Sequence, residues 1–214
     1  METNEKTFLS QTLSMMEQKQ LFDDLYRDVN GYLISASGRV SQLEDQKEWT
    51  YGEVSFDGIQ RVLDVVQPTS YSCFYDVGSG TGKAMIIASL THKFKSFVGV
   101  EICDNLADES KKITDKFSDI IQENYPNHIN PSFTVKKEDA ATISFDKADV
   151  VLLNSTYFNE PLMEKIRMQS EKMKIGSHLI TLTIPFVSDQ FELLHSDQYL
   201  MEWGKSTVYI YKKT

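Results

Sequence analysis

The sequence predicts an α/β domain: a seven-stranded, mostly parallel sheet with an antiparallel C-terminal hairpin, helices on both faces, and a helical extension at the N-terminus. Three observations carry this expectation. From residue 72 onward, short apolar runs alternate with amphipathic segments, the pattern of a parallel sheet covered on both sides. One run, Val150-Val151-Leu152-Leu153, is continuously hydrophobic, as a central strand buried on both faces must be. The last two apolar runs, QYLMEW and STVYIYKK, are joined by a Gly-Lys pair, and the second alternates with period two, as in an antiparallel hairpin closing a sheet edge.

Each element has its own reason. From about residue 4 to 37, Leu9, Leu13 and Met16, then Leu21, Leu25 and Val29, recur at helical spacing, with Gly31 expected to break or bend the run. A polar linker follows from Ser41 to Thr50. Ser55 can cap a helix whose inner face is Phe56, Ile59, Leu63 and Val66, ended by Pro68. Strand and helix candidates then alternate: SCFYDV, KAMIIASLT, SFVGVE, a long polar helix from Asp104 to Tyr125, SFTVKKEDA, ADVVLLN, PLMEKIRMQSEKMK and SHLITLTIPF. The expected division is a helical extension over 1–45 and the α/β domain over 46–214.

Bulk composition narrows the function. The 214 residues are 41% hydrophobic, enough for a sizeable core, and the formal charge is −9. An acidic chain repels a phosphate backbone, which argues against direct nucleic-acid binding. Paired lysines, such as Lys136-Lys137 and Lys212-Lys213, read as solvated ends of elements. The two cysteines, Cys73 and Cys103, lack the spacing of a zinc site and read as free thiols; no metal site is expected. The polar N-terminus carries no signal peptide, and no apolar stretch approaches the roughly 20 residues that span a bilayer. An intracellular protein, cytoplasmic or nuclear and without membrane contact, is expected; its oligomeric state is left open.

The chemistry centres on Asp76-Val77-Gly78-Ser79-Gly80-Thr81-Gly82-Lys83-Ala84. A phosphate-binding P-loop fails twice, since Gly78 and Gly82 enclose three residues rather than four and Ala84 stands where a hydroxyl must bind metal. The dinucleotide fingerprint GxGxxG fails at its third glycine, which is Lys83. S-adenosylmethionine, which has no phosphate, suits a strand ending in Asp76, a glycine turn and a helix start. Glycines let the backbone approach, helix N–H groups can receive its carboxylate, and Asp76 can hold its ammonium. Glu101, at the end of Val98-Gly99-Val100-Glu101, can accept both ribose hydroxyls.

These pieces resemble class I methyltransferases and, more narrowly, the non-SET histone lysine methyltransferases of the disruptor-of-telomeric-silencing family. The likeness runs from about residue 50 to 211 and includes Tyr51-Gly52-Glu53, the glycine loop, Val98–Glu101, Glu138-Asp139, Asn154 with Phe158, Pro185-Phe186 and Trp203-Gly204-Lys205. The family loop Asn-Asn-Phe-Ala-Phe reads Asn154-Ser155-Thr156-Tyr157-Phe158 here, and the family's basic DNA-contacting extension has no counterpart. The resemblance implies a protein lysine acceptor, histone or other. It also implies cofactor contacts at Tyr51, Glu53, Asp76, Gly78, Ser79, Gly80, Gly82, Glu101, Glu138, Asp139 and Asn154. Asp139 is expected beside the adenine amino group, although an acidic residue after a strand is as readily a turn cap.

A lysine acceptor must reach the donor uncharged, and with a free pKa near 10.4 this costs about 4 kcal/mol at neutral pH. An apolar channel lowers that pKa by desolvation, and aromatic faces tolerate the methylated cation. Tyr157, Phe158, Phe186 and Trp203 are the channel candidates, with Asn154 at the cofactor or acceptor. Asn154-Ser155-Thr156-Tyr157 also fits an Asn-x-x-Tyr pattern of enzymes that methylate glutamine or base amino groups. A non-catalytic cofactor-binding scaffold is the third reading.

Overall fold

A computed structural model describes residues 13–42, 51–126 and 128–214. Seven strands form one sheet: β1 (Cys73–Val77), β2 (Ser96–Glu101), β3 (Ser132–Lys137), β4 (Val150–Leu153), β5 (His178–Leu182), β6 (Phe191–Met201) and β7 (Gly204–Lys213). Their order is β3-β2-β1-β4-β5-β7-β6; the first five are parallel, and β7 runs antiparallel to both β5 and β6. The expected sheet and hairpin are therefore present.

Helices α1 (Met15–Tyr26), α2 (Gly31–Gln42), α3 (Phe56–Val66), α4 (Lys83–Thr91), α5 (Asp104–Asn124) and α6 (Glu160–Ser170) complete the fold. One core layer joins α1, α3, α4 and α5 to the sheet through residues such as Phe22, Leu63, Ile87 and Phe117. The other face is covered by α6 and irregular segments, through Phe145, Ile166 and Phe186. Residues of β1 and β4 alternate between the two layers, which is why Val150–Leu153 is apolar throughout.

The N-terminal run is broken beside Gly31, as expected, into two helices, and Gly31 is the first residue of the second. The break follows from Asn30, whose side chain accepts from the Leu33 N–H at 3.0 Å, a favoured N-terminal cap. Helix α1 starts after Ser14, which forms a reciprocal capping box with Glu17. Its inward face is Phe22, Leu25 and Tyr26, while Met16 is exposed; Leu9 and residues 43–50 of the expected linker lie outside the described residues.

Two differences from expectation lie at the C-terminal edge. The hairpin turn is Glu202-Trp203, and the expected Gly-Lys turn is already the start of β7. Strand β6 begins at Phe191, seven residues before the expected run. A register shift between Leu193 and His195 and a largely exposed face disrupt the alternation that would have marked it. Lys213, expected to be solvated, is 7% exposed, its ammonium donating to Gln190 at 2.8 Å and lying over the Phe191 ring. Helix α3 is capped by Ser55 and closes just before Pro68, both as expected; its last residue is Val66, and Gln67 forms the C-terminal cap in a left-handed conformation.

Candidate active site

In an open parallel sheet, ligands bind outside the carboxyl ends of strands where the chain order reverses. Here that point lies between β1 and β4, whose ends carry Asp76-Val77 and Leu153-Asn154. A narrow crevice opens there, bordered by Tyr51, Glu53, Asp76, the loop from Gly78 to Thr81, Lys83 and Asn154. Seven expected cofactor residues thus meet at one place: Tyr51, Glu53, Asp76, Gly78, Ser79, Gly80 and Asn154.

The glycine loop is held from beneath. The N–H groups of Gly78 and Ser79 donate to the Val100 carbonyl at 2.9 and 3.1 Å, and Gly82 donates to Ser79 at 2.8 Å. Gly80 donates to Glu101 Oε2 at 2.8 Å, and Cys103 donates to Glu101 Oε1 at 2.9 Å. Glu101 is therefore a brace for the loop, a role the sequence reading lacked. The carboxylate keeps some acceptor capacity for a ligand hydroxyl. The loop N–H groups of Gly78, Ser79, Gly80 and Gly82 are committed within the protein. The donors left are those of the first turn of α4, which a helix cannot satisfy from within. Glycine is required at Gly80, where φ is +53° and a Cβ would come within 2.6 Å of the Tyr51 ring.

Asp76 is 2% exposed, and none of the described residues donates a hydrogen bond to its carboxyl. Burial first, and the Glu101 charge second, push its pKa up to about 8. Burial also raises Glu101, against the N–H donors that favour its charged form. A buried carboxyl bordering a crevice, with no cationic partner among the described residues, is complementary to a ligand ammonium.

The remaining expected residues stand at different distances from this crevice. Gly82 is the N-terminal cap of α4, in a left-handed conformation. Glu138 and Asp139 follow β3, whose last residue Lys137 pairs with Glu101, so they share the same sheet edge. Both are exposed: Glu138 lies 3.7 Å from Lys136, and Asp139 accepts from the Ala141 N–H at 2.8 Å, the turn-capping arrangement.

Acceptor-side groups come from two segments. Asn154 and Phe158 flank a short helical turn, Ser155–Tyr157, after β4. A Cβ at Gly78 would lie 3.6 Å from Phe158 Cζ and 3.7 Å from Asn154 Cβ, which puts both beside the glycine loop. The buried Ser155 hydroxyl donates to the Leu182 carbonyl at 2.9 Å. Thr156, Thr183 and Ser206 form a hydroxyl chain at 3.2 and 2.9 Å that ties this turn to β7. The side chain of Tyr157 lies outside the described set. Trp203, in the hairpin turn, packs on Gly52, where a Cβ would be 3.0 Å from its ring. Phe186 is 6% exposed, packed on Phe191 and Tyr211, and its N–H donates to the Tyr211 hydroxyl. It is a core residue at the edge of an apolar groove that Phe158 also borders.

Sequence reading overlooked Lys83. It is the first residue of α4, yet its ammonium is nearly buried among Glu53, Glu202, Tyr26 and Phe22. A cation at the positive end of a helix was the available signal.

Known structures share this architecture. A putative RNA methyltransferase from Pyrococcus horikoshii superimposes with a TM-score of 0.60 at 15% identity, over 94% of this chain and 98% of that one. Magnesium protoporphyrin IX methyltransferase from Synechocystis, solved with bound S-adenosylmethionine, gives 0.53 at 15% identity, over 92% and 97%. The fold is that of the class I methyltransferases. Within that class, a family model described as "Histone methylation protein DOT1" matches residues 32–204, and the chain belongs to that family. Histone-lysine N-methyltransferases described as H3 lysine-79 specific are similar in sequence. The one from Kluyveromyces lactis is 30% identical over 140 residues, 63% of this chain, and that from Gibberella zeae is 28% identical over 148 residues, 67% of this chain. The matched regions cover 24% and 30% of those longer proteins. No helix among the described residues is long and apolar enough to cross a membrane.

Proposed function

We propose that this chain is an S-adenosylmethionine-dependent methyltransferase acting on a lysine side chain of a protein, with residues 46–214 as the catalytic domain and 1–45 as its helical extension. The observation that carries the reading is Asp76: a buried carboxyl at the crevice, without a hydrogen-bond donor among the described residues, beside a glycine loop and a helix start. The residues fit the cofactor. Asp76 would hold its ammonium, the first turn of α4 its carboxylate, and Glu101 its ribose; Tyr51, Glu53 and Asn154 would line it, with Glu138 and Asp139 at the adenine end of the same edge. When bound, the cofactor supplies a methyl group on a sulfonium, transferred by direct displacement.

The protein's own contribution is alignment and exclusion of water. Alignment of two reactants can contribute roughly 7–11 kcal/mol. Phe158, beside Gly78, and Trp203, packed on Gly52, would offer apolar faces that favour an uncharged lysine amine. The family's similarity to histone enzymes supports a protein acceptor; the charge of −9 favours a basic one.

The test has two arms. Calorimetry with adenosylhomocysteine reads the cofactor site. Incubation of the purified chain with lysate and labelled cofactor, followed by mass spectrometry, reads the acceptor, and methyl-lysine is expected. Methyl on glutamine, on nucleic acid, or nowhere overturns the lysine assignment, and the last outcome favours the scaffold reading.

A further inference from the structure

We propose that Lys83 is a positioning residue that locks the acceptor side of the site to the cofactor side. The inference rests on the function proposed above, since it assigns the two sides their roles.

The geometry is a clasp with three arms. Lys83 Nζ donates to Glu53 Oε2 at 2.7 Å and to Glu202 Oε1 at 3.0 Å. It also lies 5.4 Å from the Tyr26 ring centre and 6.0 Å from that of Phe22. Its side chain is 12% exposed. Four separate segments thus converge on one ammonium: the glycine-loop helix, the Tyr51–Glu53 segment, the hairpin turn and α1.

Each arm fixes something different. Glu53 Oε1 accepts from the Tyr51 hydroxyl at 2.8 Å, and that hydroxyl also lies 3.2 Å from Thr81 Oγ1, so the Glu53 arm holds the Tyr51 ring against Gly80. The Tyr26 hydroxyl donates to the Thr81 carbonyl at 3.1 Å, which adds α1 to the same point. The Glu202 arm holds the turn whose next residue is Trp203. The Glu202 N–H donates to the Glu53 carbonyl at 3.2 Å, and Trp203 packs on Gly52. Moving Lys83 therefore moves an expected cofactor contact and an expected channel wall together.

The placement has a cost that packing does not explain. At the first position of a helix, a cation opposes the backbone dipole, and a nearly buried ammonium loses hydration. Two carboxylates and two ring faces offset both penalties. A solvated helix start would need none of this.

The experiment uses the full chain with Trp49→Phe, which leaves Trp203 as the single tryptophan. Acrylamide quenching then reports how closely the turn is held, whether or not the chain transfers methyl. Lys83→Met and Glu202→Ala are each expected to raise the quenching constant about twofold or more, and Lys83→Arg to restore most of the protection. Calorimetry with adenosylhomocysteine separates the arms. Glu202→Ala should keep affinity within about twofold, while Lys83→Met, which also frees Glu53, should weaken it several-fold. Unchanged quenching in Glu202→Ala, with its thermal melt still cooperative, overturns the clasp. That variant carries the test if Lys83→Met does not fold. Failure of the unmutated chain to bind adenosylhomocysteine instead overturns the cofactor reading and leaves the quenching result to decide the clasp.

Discussion

The two halves of the candidate site are built on different principles. The cofactor half, from β1 through the glycine loop to β2, is made within residues 73–101, and backbone groups do most of the holding: Val100 and Glu101 brace Gly78, Ser79 and Gly80. The acceptor half is assembled from the turn after β4 and the hairpin turn, joined by the side chains of Ser155, Thr156, Thr183, Ser206 and Glu202. A loop fixed by its own backbone can change only as a unit. A wall fixed by side chains can change residue by residue, which suits the part of an enzyme that must match its acceptor.

The largest expected effect tests the cofactor half. Asp76→Asn should weaken adenosylhomocysteine binding by about 10- to 100-fold, the worth of a charge-assisted bond. Its thermal stability at pH 8 should be unchanged or higher, because a buried ionised carboxyl is removed. A pH series sharpens this. The folded pKa of Asp76, about 8, lies above its unfolded value, so its contribution to stability is complete below about pH 4 and declines as pH rises towards 8. A ligand ammonium selects the ionised form, so affinity should rise between pH 6 and 8, by up to about tenfold per unit, and the slope should be absent in Asp76→Asn.

Trp203→Ala is next and addresses the acceptor half. Turnover should fall by about tenfold while adenosylhomocysteine affinity stays within about twofold. Equal loss of both would erase the distinction between the halves. Glu101→Ala should weaken binding several-fold and also lower the melting temperature, since it strands the N–H groups of Gly80 and Cys103 at about 1–3 kcal/mol of lost stability. An affinity loss with an unchanged melt would mean that the brace is unimportant. The smallest effect is expected for Asp139→Ala, about twofold or less in affinity, because this exposed carboxylate already caps its own turn. A tenfold loss would move Asp139 into the heart of the site.

The same contrast governs what the sequence reveals. Strands β1, β2 and β4, the glycine loop and the cap at Ser55 are written locally, in apolar runs, glycines and a serine three residues before its target. The hidden features depend on distant partners. Lys83 meets Glu53 and Glu202, 30 and 119 positions away, and nothing near it in the chain announces either. Read alone, Glu101 looks like a ligand group, and only the fold shows that it also carries the glycine loop. The start of β6 was obscured by exposed Leu193 and Leu194 and a register shift, and the real cap at Asn30 was masked by the more conspicuous Gly31.

Asp76 has one more consequence under the proposed reading. It grips the amino-acid end of the donor, which is chemically the same before and after the methyl leaves. Spent donor is therefore held nearly as well as fresh donor. The ratio of the two, rather than the supply of either, would then set the pace of modification.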